Sequence, residues 1–286
     1  MAVTEGAPRI LTVHRGSGGR ELPSVSPGPD DRTLELALRR GIGEQTGLDV
    51  GYAEQLYTFG DLGRVPGSDV RLVSVAYLAL IAQQQPSTGA TWSACYSLLP
   101  WEDHRDGPSD NLAEEIVPRL DSWVNEGRAS ERGERRMRVD ATFGLHGAPW
   151  DGVRVLERYE LLYEIGLLAE SSGDWGLGEA MAGDHRRIVA SALGRLRGKL
   201  TYRPTVFELL ADRFTLSQLQ ALVEALSGVR LHKQNFRRLI EQGGLVEGTG
   251  ETTPTAGRPA ELFTFRREVL TERPRPGVGT PWSSGS

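Results

Sequence analysis

The feature that most narrows the fold of this 286-residue chain lies near its C-terminus, where two helix patterns and two strand patterns follow in close succession. Phe214 and Thr215 precede a segment in which Leu216, Leu219, Leu222, Val223 and Leu226 recur at helical spacing, with Thr215 or Ser217 able to cap the first turn. Gly228 ends that pattern. A second helix pattern begins near Leu231 and sets His232, Lys233, Gln234, Asn235, Arg237, Arg238 and Gln242 around Phe236, Leu239 and Ile240, until Gly243 and Gly244 stop it. Residues 245–266 then read as a strand, a polar tip containing Gly257, Arg258 and Pro259, and a second strand carrying Leu262, Phe263 and Phe265. Helix, short turn, polar-basic helix and hairpin is the order of a winged helix-turn-helix.

The residue types in the second helix suit a nucleic-acid reader. Lys, Gln, Asn and Arg supply the donors and acceptors that pair with guanine and adenine edges, and the cations also neutralise phosphates. The candidate DNA-contacting residues are therefore Thr215, Lys233, Gln234, Asn235, Arg237, Arg238 and, at the wing, Arg258, placed to enter a narrow minor groove. The whole chain carries a formal charge of -5, which does not favour a polyanionic partner. Residues 184–200 nevertheless add Arg186, Arg187, Arg195, Arg197 and Lys199, so the sequence concentrates positive charge in its last third. Charge runs of this kind commonly solvate helix faces, and a winged helix can also serve protein contacts. It is the ordered combination that favours DNA.

Elsewhere the patterns are mixed. Residues 10–13 read as a strand, 34–45 as a helix with Leu34, Leu38 and Ile42 on one face, and 71–81 as an apolar central strand. A short helical pattern occupies 112–124. The segment 153–168 reads as a long helix in which Leu156, Tyr159, Tyr163 and Leu167 are flanked by Leu161, Leu162 and Leu168; so broad an apolar face predicts two-sided packing or a subunit contact. Residues 171–178 read as a linker, and 271–286, rich in Pro, Gly and Ser, as a disordered tail. The single cysteine, Cys95, sits in an apolar run and reads as a buried structural thiol. The histidines show no spacing typical of a triad or zinc site. No run reaches the roughly 18 apolar residues of a membrane span, and no secretory leader is visible, so a cytoplasmic location is expected.

The stretches FTLSQLQALVEALSG, LHKQNFRRLIEQGGLVEGTGE and GRPAELFTFR, with RLRGKLTYRPTVFELL before them, closely resemble the C-terminal domain of the Nudix-related transcriptional regulators, the NrtR family. EQTGLDVGYAEQLYTFGD and VSVAYLAL are similar to an N-terminal stretch of the same family. The resemblance implies an α+β protein: a Nudix-like α/β/α domain over 1–183 with a helical insertion at about 102–172, a winged helix-turn-helix over 184–270, and the tail at 271–286.

Nudix hydrolases share the pattern G-x5-E-x7-R-E-U-x-E-E-x-G-U, U being apolar, whose clustered glutamates hold magnesium against a pyrophosphate. TLELALRRGIGEQTGL places Arg40, Ile42, Glu44, Gly47 and Leu48 on that pattern. Gly41, Gln45 and Arg32 stand where three glutamates belong, and Ser26 where the first glycine belongs. Magnesium needs hard anionic oxygens in near-octahedral order, so the resemblance implies a Nudix domain without catalytic residues, metal ligands or a required cofactor.

Such a domain keeps a cleft for a nucleotide while leaving it intact. The family resemblance implies ADP-ribose or a related NAD metabolite as effector, and a repressor of NAD-related genes. It also implies Tyr57, Asp61, Arg64 and Arg71 as the residues bordering the pocket, arginine being suited to diphosphate through its planar fork. The expected partners are double-stranded DNA with a palindromic operator and a second copy of the chain, which would place the recognition helices about 34 Å apart. An active Nudix-type hydrolase using Glu44, and a regulator responding to a different effector, stay open at this stage.

Overall fold

The protein is described from a computed structural model covering residues 1–4, 6–14, 19–62, 71–81, 84–87, 89–171, 176–255 and 257–278. The first part holds strands β1 (Ala2–Thr4), β2 (Ala7–His14) and β3 (Arg20–Glu21), helix α1 (Leu34–Thr46), strands β4 (Tyr52–Phe59), β5 (Ser74–Leu80) and β6 (Ala90–Ala94), and the short helix α2 (Cys95–Leu98). A 3-10 turn at Pro100–Glu102 and a π turn at Asn111–Ile116 lead into α3 (Val117–Glu126), α4 (Arg132–Phe143) and α5 (Val155–Glu164). Then come α6 (His185–Leu200), a 3-10 turn at Thr205–Leu209, α7 (Leu216–Ser227), α8 (Lys233–Gly243), the hairpin β7 (Val246–Thr253) and β8 (Ala260–Phe265), and α9 (Val269–Glu272).

β2 is the hub of one antiparallel sheet. It pairs with β1 at one end, with β3 at the other, and with β6 from Arg9↔Ala94 to Val13↔Ala90. β4 and β5 form a separate antiparallel ribbon, joined to the first sheet where the Ile81 amide donates to the Met1 carbonyl at 3.0 Å. α1 is capped at its start by the Thr33 hydroxyl, which accepts from the Leu36 amide, and at its end by Gly47 in the left-handed region. Its buried residues Ala37, Gly41 and Ile42 share one side; of the expected face Leu34, Leu38 and Ile42, only Ile42 is fully buried and Leu34, in the first turn, is 44% exposed.

Two cores meet on α6. Val189, Ala190 and Leu193 pack with Ile10, Cys95, Trp101 and helices α3, α4 and α5, whereas Ala192, Leu196 and Leu200 pack with Leu56, Leu78 and the winged helix. The helix is thus buried on two sides, and packing is continuous across the boundary expected at 183–184.

Three expectations need correction. Of the two readings of the broad apolar face at 153–168, internal packing holds for Tyr159, Leu161 and Leu162, which are buried where α5 packs against α6, while Tyr163 stays 48% exposed. The helix also stops at Glu164, and Leu167 and Leu168 fill the core from a turn. The tail is anchored as far as it is described, since α9 occupies its start and Val278 is 2% exposed, its amide donating to the Leu200 carbonyl. Residues 279–286 lie outside the described residues. The expected linker is packed too: Leu177 is buried and bonds to the Leu167 carbonyl, while 172–175 are outside the described residues.

Candidate functional site

The winged helix is held by local sequence chemistry. Thr215 caps α7: its hydroxyl accepts from the Gln218 amide, and the Gln218 side chain returns to the Thr215 amide at 2.7 Å. Gly228, at φ +72°, closes the helix in a conformation that disfavours side chains. The turn to α8 is fastened by Glu224, whose carboxylate accepts from the Leu231 amide at 3.0 Å, and by Gln220, which donates to the Leu231 carbonyl. Phe236 and Ile240, one turn apart, then seat α8 in the core.

That seating leaves Lys233, Gln234, Asn235 and Arg238 exposed and Arg237 half-buried. None of Lys233, Arg237 and Arg238 forms an ion pair within the described residues. Phe214 bonds reciprocally with Phe263 and so adds a bridge to the β7–β8 hairpin. At the hairpin tip the Thr255 hydroxyl donates to the Arg258 carbonyl at 2.8 Å, steadying a loop whose Arg258 side chain stands in solvent. The seven expected DNA contacts therefore divide. Six present themselves on α8 and the wing. Thr215 does not: it is 8% exposed and its hydroxyl serves the cap.

The basic residues of α6 are also a correction. Arg186 and Arg197 are fully buried in ion pairs with Glu170 and Glu102. Arg187 pairs with Asp61 and Glu160, and Lys199 with Glu54. Only Arg195 among these five is exposed without an ion pair within the described residues.

On α1 the Nudix-like residues turn inward or toward each other. An added Cβ at Gly41 would lie 2.5 Å from Val25 Cβ, so the position has no room for a glutamate as packed. Arg40 donates to Glu44 at 3.0 Å and to both carboxylate oxygens of Asp31; those hydrogen bonds hold the Asp31 carboxyl down at about 2. Gln45 donates to the Ser24 carbonyl. The one remaining carboxylate of the pattern is thus matched by a guanidinium. This donor set does not fit a catalytic magnesium site.

Of the expected effector residues, Tyr57 lies in β4 near the end of the ribbon that Asp61 and Arg71 flank. Tyr57 is 62% exposed and meets Phe59 edge-on at 5.3 Å, whereas the Phe59 ring is buried and cannot stack on a base. The register opposes Phe59 and Ser74, so Asp61 and Arg71 leave the ribbon at the same end. Arg71 is exposed, and Arg64 lies outside the described residues. A cavity of about 620 Å³ sits elsewhere, at the base of the wing, lined by Tyr52, Arg203, Thr205, Phe207, Phe265 and Arg267. Tyr57, Asp61 and Arg71 do not line that cavity.

Residues 206–265 match the family described as the NrtR DNA-binding winged helix domain. The chain is 35% identical over 270 residues to a protein of Acinetobacter baylyi named "ADPR responsive transcriptional repressor NtrR", an alignment covering 93% of this chain and 78% of that one. The chain belongs to the NrtR family. Two solved structures share the fold. Shewanella oneidensis NrtR complexed with a 27mer DNA matches with a TM-score of 0.58 at 21% identity, covering 94% of this chain and 92% of that one. A MutT/nudix family protein from Enterococcus faecalis matches with a TM-score of 0.54 at 18% identity, covering 91% and 82%. The fold is therefore the NrtR combination of a Nudix-like domain and a winged helix.

This NrtR family member also contains a buried junction that the sequence did not announce. Glu102 lies fully buried between two arginines: Arg158 donates to its Oε1 at 2.6 Å and Oε2 at 2.9 Å, and Arg197 donates to Oε2 and, at 2.8 Å, to its carbonyl. Burial pushes the Glu102 carboxyl up, but the two guanidinium groups more than offset this and hold it below the usual range. Arg197 Nε also donates to the Leu226 carbonyl at 3.0 Å, in the last turn of α7, where a cation complements the helix dipole. Beside it, a Cβ at Gly228 would lie 2.3 Å from the Glu102 carbonyl. These contacts bolt α6 and α7 to the turn at Glu102 and to α5. In sequence, the only trace was that Arg158 and Arg197 interrupt otherwise apolar helix faces.

Proposed function

We propose that the protein is a repressor that holds operator DNA with α8 and the wing, and releases it when ADP-ribose occupies the Nudix-like domain without being cleaved. The row of exposed Lys233, Gln234, Asn235 and Arg238 with half-buried Arg237, its cations without ion pairs within the described residues, carries this reading. It is a cationic, hydrogen-bonding face on a rigidly capped winged helix, as major-groove recognition requires. The adjacent Arg258 would follow the minor groove. Support for the effector comes from the Acinetobacter baylyi relative, named as ADPR responsive. Support for binding without hydrolysis comes from Val25 filling the space beside Gly41 and from the Arg40–Glu44 pair.

The operator is a palindrome read by a homodimer, with half-sites about one helical turn apart. Among the described residues no helix is long and apolar enough to cross a membrane. A repressor of this kind works beside the genome, in the cytoplasm. No cofactor is needed for either binding event.

Gel-shift titration with DNA recovered from the source genome tests the proposal. Bound DNA falls as ADP-ribose is added, and DNA weakens ADP-ribose binding by the same factor. Unchanged DNA affinity at saturating ADP-ribose removes the effector reading. AMP released from ADP-ribose with magnesium restores the hydrolase.

A further inference from the structure

Arg187 stands at the meeting point of three elements. Its Nη1 donates to Asp61 Oδ2 at 2.6 Å, its Nε and Nη2 donate to Glu160 Oε1 at 3.0 and 2.7 Å, and its guanidinium lies 5.7 Å from the centre of the Phe59 ring. One cation in the first turn of α6 thus ties the segment after β4 to α5. The pair faces solvent, with the Arg187 side chain 30% and the Asp61 side chain 68% exposed. It sits at the end of the ribbon that also carries Tyr57 and Arg71. Ten positions along the same helix, about 15 Å at 1.5 Å per residue, Arg197 grips the Leu226 carbonyl and Glu102.

We infer that Arg187 is a diphosphate-contacting residue of the effector site, and that replacing Asp61 by the ligand on its guanidinium passes occupancy of that site through α6 to the winged helix. The inference rests on the effector reading above and names how that site is read out. Solvent-facing ion pairs are weak and readily exchanged. A diphosphate brings more charge and more acceptor oxygens than one carboxylate, in a spacing that the guanidinium fork accepts bidentately. It also repels Asp61, loosening the segment after β4 from α6. α6 is held along its length by two cores, so a shift at its first turn is delivered to Leu226 at the far end. A ligand shifts an equilibrium only through contacts that differ between states, and the Asp61–Arg187 pair is such a contact.

The test uses the full chain and ADP-ribose as probe. Calorimetry gives the ADP-ribose Kd, and DNA titrations with and without saturating ADP-ribose give the coupling factor, for wild type, R187Q and R187K. R187Q weakens ADP-ribose binding tenfold or more and brings the coupling factor toward one. R187K, which keeps the charge without the fork, recovers part of the affinity. A wild type whose DNA binding ignores ADP-ribose removes the effector reading itself. A responsive wild type whose R187Q variant matches it in Kd and coupling removes this inference alone.

Discussion

Helices α6 and α8 are both rich in cations, and the structure uses them in opposite ways. On α6, Arg186, Arg187, Arg197 and Lys199 each meet a carboxylate from another element. On α8, Lys233, Arg237 and Arg238 meet none within the described residues. Glu102 is 95 positions from Arg197 and Glu54 is 145 from Lys199, so neutralisation is decided by tertiary placement and not by local composition. A count of arginines therefore overstates the nucleic-acid surface. Cations in the core fix one helix against its neighbours, and cations left in water remain available to phosphate.

Substitutions can break this contrast. The largest effect is expected for Arg197→Ala, which leaves Glu102 buried with one partner fewer and frees the Leu226 carbonyl; stability should fall by about 3–5 kcal/mol in urea unfolding. A near-neutral result would mean that the junction is not what joins the halves. The same junction sets an acid limit. Because the Glu102 carboxyl is held below the ordinary value of about 4.3, its contribution is complete above that pH and is lost as pH falls through its lower folded-state value. Unfolding midpoints followed from pH 7 to 3 should drop on the acid side, and an E102Q variant should lose that component.

Next in size, R237A/R238A should weaken operator binding by about 100-fold, roughly 2.7 kcal/mol, and flatten its salt dependence, with little change in thermal midpoint. Operator binding that survives both changes would move the interface off α8. The smallest effect belongs to Thr215→Ala. Loss of the cap should lower stability by about 1 kcal/mol, measured by denaturant titration. Its operator affinity, compared with wild type at equal folded fraction, should barely move; a large specific loss would reinstate Thr215 as a DNA contact.

The winged helix was largely legible in sequence because its signals are local. Thr215 and Gln218 lie three residues apart, Gly228 and Gly244 mark helix ends, and the spacing of Phe236 and Ile240 fixes which side of α8 is buried. The helix at 34–45 was legible for the same reason. The apolar run at 71–81 yielded a strand only from Ser74 to Leu80, its first three residues lying outside the ladder with β4. The face on α5 was recognised as apolar, but periodicity cannot say whether the neighbour belongs to the same chain. Nor could it show that Glu102, Arg158 and Arg197 converge, or that Asp61 finds Arg187. Those facts live in long-range packing.

The Val25 side chain beside Gly41 acts as a lock on that position. Placing a glutamate at position 41 would first drive it into an isopropyl group at 2.5 Å, so a carboxylate there requires a coordinated change on the facing loop. A receptor that destroys its own messenger reports a vanishing signal. Here a single nucleotide change cannot easily make it do so.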